Sequence, residues 1–88
     1  MAEIELTSFE VSLQNLMIAL EASDYDEAKQ QIKDLHPGEI ALLLEAIQPK
    51  DRSVLWPSIE ISIQGEILKE VSEDVQSQLI SEMTVDSL

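Results

Sequence analysis

Apolar residues recur along this chain at the spacing of one helical face. Phe9, Leu13, Leu16, Met17 and Leu20 follow an i, i+4, i+7, i+8, i+11 pattern, which predicts a first helix over residues 8–22. Thr7 with Glu10 reads as its capping box, each side chain satisfying a free backbone N–H of the first turn. A second stripe is formed by Tyr25, Ala28, Ile32 and Leu35, behind a start at Asp24 with Glu27. A third starts at His36-Pro37 and turns Ile40, Leu43, Leu44 and Ile47 inward. Proline suits the first helical position, where its φ is preset and its missing N–H has no helical partner to lose. A fourth starts at Gln48-Pro49 and runs towards Val54, Leu55 and Trp56. Ser72 opens the last, with Val75, Leu79, Ile80 and Met83 on one face.

Four of these starts fall at positions 24, 36, 48 and 72, in steps of 12, 12 and 24. A 12-residue repeat with one unmarked unit fits them, and self-similarity at a fixed period is the mark of a helical array. Each helix of two to three turns is too short to stand alone, so stacking must hold it. The unmarked unit is ambiguous. Ile59-Glu60-Ile61-Ser62-Ile63-Gln64 alternates like a strand. Nothing else in the chain alternates to pair with it, so the reading is helix over about residues 59–71, with Ile63, Ile67, Leu68 and Val71 inward. Gly65 weakens that helix by about 1 kcal/mol relative to alanine, and Pro57 predicts a kink between Trp56 and Ile59. The expectation is an all-α domain of five to six short helices.

Composition narrows the chemistry. The 88 residues are 44% hydrophobic and 26% charged, as in a folded globular chain, and only 3% aromatic, so the core must be aliphatic. Without cysteine there is no disulfide framework, thiolate zinc site or cysteine nucleophile. Five basic residues against eighteen acidic ones give a net charge of −13. Such a surface repels phosphate backbones and anionic headgroups, which argues against nucleic acid and against direct membrane insertion. It favours metal cations and basic protein surfaces. No stretch approaches the roughly 20 apolar residues of a membrane span, and the acidic start at Met1-Ala2-Glu3 lacks the basic region of a signal peptide. No nucleophile elbow, phosphate-binding glycine loop or base besides His36 supports an enzyme.

The segment Leu35-His36-Pro37-Gly38-Glu39-Ile40-Ala41-Leu42-Leu43-Leu44-Glu45-Ala46-Ile47 resembles the L-H-P-x-[DE]-[IL]-A-x-L-L-E-x-[IL] segment of the N-terminal cytoplasmic domain of MgtE-type magnesium transporters. Leu20-Glu21-Ala22-Ser23-Asp24-Tyr25 is similar to the turn between that family's first two helices, Pro49-Lys50-Asp51-Arg52 to its P-x-[DE]-R helix start, and Gly65-Glu66-Ile67-Leu68 to its A-x-E-[VI]-L segment. The likeness spans about residues 16–83. The middle domain of the flagellar motor switch protein shares this architecture, so a metal-independent helical interaction scaffold is the alternative reading. What the magnesium-transporter resemblance implies is a right-handed superhelix over residues 1–88, a fragment of a longer transporter on the cytoplasmic face of the membrane. It would dock onto a CBS domain pair when magnesium binds between them and so favour a closed transmembrane channel. The full protein would be a homodimer; this segment by itself is expected to be a monomer, since a charge of −13 opposes self-association. The chain departs from the family at Gly65, where alanine is usual, and in an Ile- and Ser-rich fifth unit.

The resemblance places a magnesium-coordinating carboxylate at Glu66. Glu70 is expected one turn on, on the same helical face, with Glu73 and Asp74 at the next helix start. Magnesium keeps several waters and takes one or two carboxylates per surface, so such a site leaves little trace in sequence. Glu70, Glu73 and Asp74 read first as solvated surface carboxylates, the last two complementing a helix dipole, and only second as ligands. His36, Asp24 and Asp51 read as helix-start residues, and Trp56 as core or as an interface anchor.

Overall fold

The computed structural model describes residues 8–87, with side chains as far as Met83. All regular structure among them is helical, in six α-helices and one 3-10 turn: α1 (Ser8–Glu21), α2 (Tyr25–Lys33), α3 (Pro37–Ala46), α4 (Pro49–Leu55), the 3-10 turn Trp56–Ser58, α5 (Ile61–Leu68) and α6 (Glu73–Ser87). Thr7, and with it the predicted capping box on α1, lies outside the described residues.

From α2 onwards the helices begin at residues 25, 37, 49, 61 and 73, one every 12 residues. The unmarked unit therefore exists, and its boundaries correct the sequence reading. Ile59 and Glu60 are extended, with ψ of 137° and 142°, and Glu60 is the N-cap of α5. The helix runs over 61–68 rather than 59–71, because the 3-10 turn at Trp56-Pro57-Ser58 uses up the residues before it. The same turn is the predicted kink.

Each start has a local cause. His36 and Gln48 precede prolines and are extended, with ψ of 149° and 153°, as the ring of the next residue demands. Asp24 caps α2 by accepting from the Glu27 N–H at 3.2 Å. Between α1 and α2 the chain turns on Ser23, a non-glycine residue at φ 57°. The Asp24 N–H reaches back to the Ala19 carbonyl (2.8 Å) and the Ser23 N–H to that of Leu20 (3.0 Å), closing α1 with a left-handed C-terminal motif.

Packing follows the repeat. α2 and α6 both pack against α4, α3 packs against α5, and α1 covers α2. Helices two apart in sequence are thus neighbours in space, and successive units fall into two alternating rows. The core between them is aliphatic apart from Trp56: Leu16, Ala28, Ile32, Ile40, Leu43, Leu44, Leu55, Ile67 and Leu79 are almost wholly buried. Each large side chain contributes roughly 1.5–3 kcal/mol by leaving water. Met17 and Ile80, read as inward, are exposed. Each sits beside a truly buried neighbour, Leu16 or Leu79, at the edge of its stripe.

Candidate functional site

The four carboxylates singled out in sequence lie at the end of α5 and the start of α6. Glu66 is on α5, exposed, and its Oε2 lies 3.9 Å from Lys69 Nζ, with both side chains more than half exposed. Such a pair is worth little, at most about 0.5–1 kcal/mol. Glu70 is not on α5. The helix ends at Leu68, and Glu70 sits in the following turn, where its N–H donates to the Ile67 carbonyl at 2.9 Å. The expected i, i+4 pairing of Glu66 and Glu70 on one helical face is thereby corrected, because the 12-residue unit must leave room for the turn into α6. Glu73 and Asp74 occupy the first turn of α6 and are exposed. There their charge opposes the partial positive charge of the helix N-terminus. No basic side chain pairs with Glu70, Glu73 or Asp74 among the described residues.

A fifth carboxylate belongs to this corner and was missed in the sequence. Glu45, near the end of α3, accepts from both the backbone N–H and the hydroxyl of Ser72, the residue before α6. It closes the α6 N-terminus from another helix. Its only sequence signal was its place in a motif. Among the described residues, no group of three or more carboxylate or imidazole side chains is placed to hold a metal ion. The corner offers carboxylates singly on an open surface, a donor set that suits a hydrated cation sharing its ligands with a second surface.

The motif residues that carried the resemblance are joints of the array. Asp51 is buried in the first turn of α4 and accepts from the Tyr25 hydroxyl at 3.4 Å, linking α4 to α2. Arg52 is half-buried and its guanidinium forks three ways. Nε donates to the Leu44 carbonyl (2.7 Å), Nη2 to that of Ile47 (3.1 Å) and Nη1 to the Gln78 side chain on α6 (2.7 Å). It closes the C-terminal end of α3, which has no basic residue in its own last turn. His36 is the exposed N-cap residue of α3 and makes no capping bond with its side chain. Trp56 is core, 2% exposed. Its carbonyl accepts from the buried Gln64 side chain at 2.9 Å, while its indole N–H has no partner.

No helix among the described residues is long and apolar enough to cross a membrane. A family model described as the MgtE intracellular N domain matches residues 35–88, from the end of α2 to the end of the chain. The turn at Leu20–Tyr25 lies outside that span. No curated protein and no solved structure matches the chain.

Proposed function

The chain belongs to the MgtE intracellular N domain family, and on that premise we propose that it is the magnesium-sensing regulatory domain of a magnesium transporter. The family is one of transporter domains, not of enzymes. In this reading the domain lies at the cytoplasmic face of the membrane and docks onto a CBS domain pair of the same transporter, with the channel closed when docked. The single observation that carries it is the α5–α6 corner. There Glu66, Glu70, Glu73 and Asp74 are all exposed on a chain of net charge −13, and three of them have no basic partner among the described residues.

The physics is a population shift. Carboxylates brought against a second acidic surface repel, so the undocked state wins without a divalent cation. A hydrated magnesium ion held between the two surfaces makes favourable contacts only in the docked state, and the equilibrium moves by that difference in affinity. When magnesium falls, the domain swings away.

The test is a titration of the chain together with the CBS pair, read by docking and by Tm. Magnesium in the millimolar range is expected to stabilise the docked form by about 2.7 kcal/mol when its concentration reaches a hundred times Kd. The effect should shrink in E66Q and vanish in E66Q/E70Q/E73Q/D74N. Equal effects of potassium at matched ionic strength would sink the reading. The metal-independent scaffold is favoured by one observation, the lack of an assembled metal-ligand group among the described residues. It predicts partner binding that chelators leave unchanged.

A further inference from the structure

A cleft of about 260 Å³ opens where the end of α1 and the turn at Ser23 face the junction of α3 and α4. Its wall holds a buried carboxylate. Asp51, in the first turn of α4, is only 8% exposed and lines the cleft. Among the described residues its side chain makes one hydrogen bond, from the Tyr25 hydroxyl to Oδ1 at 3.4 Å, a length at which such a bond is weak. Oδ2 has no hydrogen-bond partner among them. A carboxylate held out of water is costly unless a donor or a cation meets it. Glu21, the exposed last residue of α1, lines the same cleft. α1 has no basic residue in its last turn, so the partial negative charge of its C-terminus adds to the two carboxylates. Lys50 is the one basic side chain at the cleft among the described residues; it is exposed and ion-pairs with neither carboxylate. Met17, 41% exposed, and the half-buried Tyr25 ring supply apolar wall.

We infer that this cleft takes an arginine side chain of a partner protein. Two carboxylates and a helix C-terminus outweigh one lysine, so the cleft selects a cation, and the net charge of −13 draws a basic partner towards it. A guanidinium is planar and carries enough donors to meet Asp51 Oδ2 and Glu21 together. The stem of the arginine covers Met17 and the Tyr25 ring, apolar surface that otherwise faces water. An ammonium is a point charge without that fork, so lysine is the poorer occupant. A bare magnesium ion is poorer still. It wants about six oxygens, and here it would meet two carboxylates, a lysine and apolar wall. The cleft shares no residue with the α5–α6 corner, and its occupancy needs no metal.

The experiment uses the ¹⁵N-labelled chain with chelator, at about 0.15 M salt so that distant charges are screened. It is titrated with a Gly/Ser-framed peptide carrying one central arginine, and with the same peptide carrying lysine or citrulline there. The arginine peptide is expected to give saturable amide shifts centred on Ser23, Tyr25, Gln48 and Asp51. It should bind about tenfold more tightly than the citrulline peptide, with the lysine peptide between them. Asp51→Asn keeps an acceptor for the Tyr25 hydroxyl and should weaken the arginine peptide about tenfold. Glu21→Gln, at an exposed helix end, should weaken it several-fold and decides the matter even where Asp51→Asn fails to fold. E73Q/D74N removes two charges from the other corner and should leave the affinity unchanged. The absence of saturable shifts, equal binding of the arginine and citrulline peptides, an unchanged affinity in Glu21→Gln, or as large a loss in E73Q/D74N would overturn the inference. So would magnesium, added without chelator, if it shifted the same four amides and displaced the arginine peptide.

Discussion

Arg52 Nε donates to the carbonyl oxygen of Leu44 at 2.7 Å, so a residue at the start of α4 closes the end of α3. The same guanidinium reaches Ile47 and Gln78, joining three helices at one planar group. A half-buried fork of this kind is worth more than a surface ion pair, because removing it strands carbonyls that water reaches poorly.

Arg52→Leu is therefore expected to cost about 2 kcal/mol, or a fall in Tm of roughly 10 °C for a domain this size. Arg52→Lys should recover only part of the loss, because an ammonium cannot span three acceptors in one plane. Thermal unfolding followed by far-UV circular dichroism measures both. Equal stability of Arg52→Leu and the parent chain would remove the joint from the account.

Two glycine exchanges should both stabilise, for opposite reasons. Ser23 is held at φ 57°, where glycine carries no steric cost, so Ser23→Gly is expected to gain about 0.5–1 kcal/mol. Gly65 lies inside α5, and a Cβ added there would have nothing within 4 Å. Gly65→Ala is expected to gain about 0.4–1 kcal/mol from helix propensity and a less free unfolded chain. Midpoints of urea unfolding should rise in both. A fall in either would show a local conformation different from the one described.

Trp56, the chain's one tryptophan, reports on the core. At 2% exposure its emission should be blue-shifted and poorly quenched by iodide in the folded state. Trp56→Ala is expected to cost about 3–5 kcal/mol through the cavity it leaves. Trp56→Phe should cost much less, since the indole N–H has no partner to lose. Comparable losses in the two variants would contradict that placement.

Lys69→Gln separates stability from cation binding. Its pair with Glu66 is open to solvent, so stability should change by no more than about 0.5 kcal/mol. If Glu66 serves magnesium in the docked state, freeing it should raise the apparent magnesium affinity several-fold. Isothermal titration of the chain with its CBS partner reads this, and an unchanged or weaker affinity would count against Glu66 as a ligand.

The helix starts were legible because they are written locally. Asp24 caps within three residues, Pro37 and Pro49 preset their own φ, and the 12-residue step survived even where Glu60 carries no recognisable start signal. The inward stripes were legible to within an edge position, as Met17 and Ile80 show. The extent of α5 was not, because the 3-10 turn before it depends on how Trp56 settles into the core. Glu70 was misplaced at the other end of α5, where the 12-residue unit must leave room for the turn into α6.

From residue types and their spacing alone came the all-helical class, the repeat, the acidic surface and the likeness to a transporter domain. These are properties of short stretches, and short stretches carry their own φ preferences, caps and apolar periodicity. The bond from Arg52 to Gln78, the reach of Glu45 to Ser72 and the cleft that Asp51 shares with Glu21 belong to the folded array. They join residues from different helices, many positions apart. Which side chains meet is set by stacking each helix on the one two units away, a relation in space that no local pattern encodes.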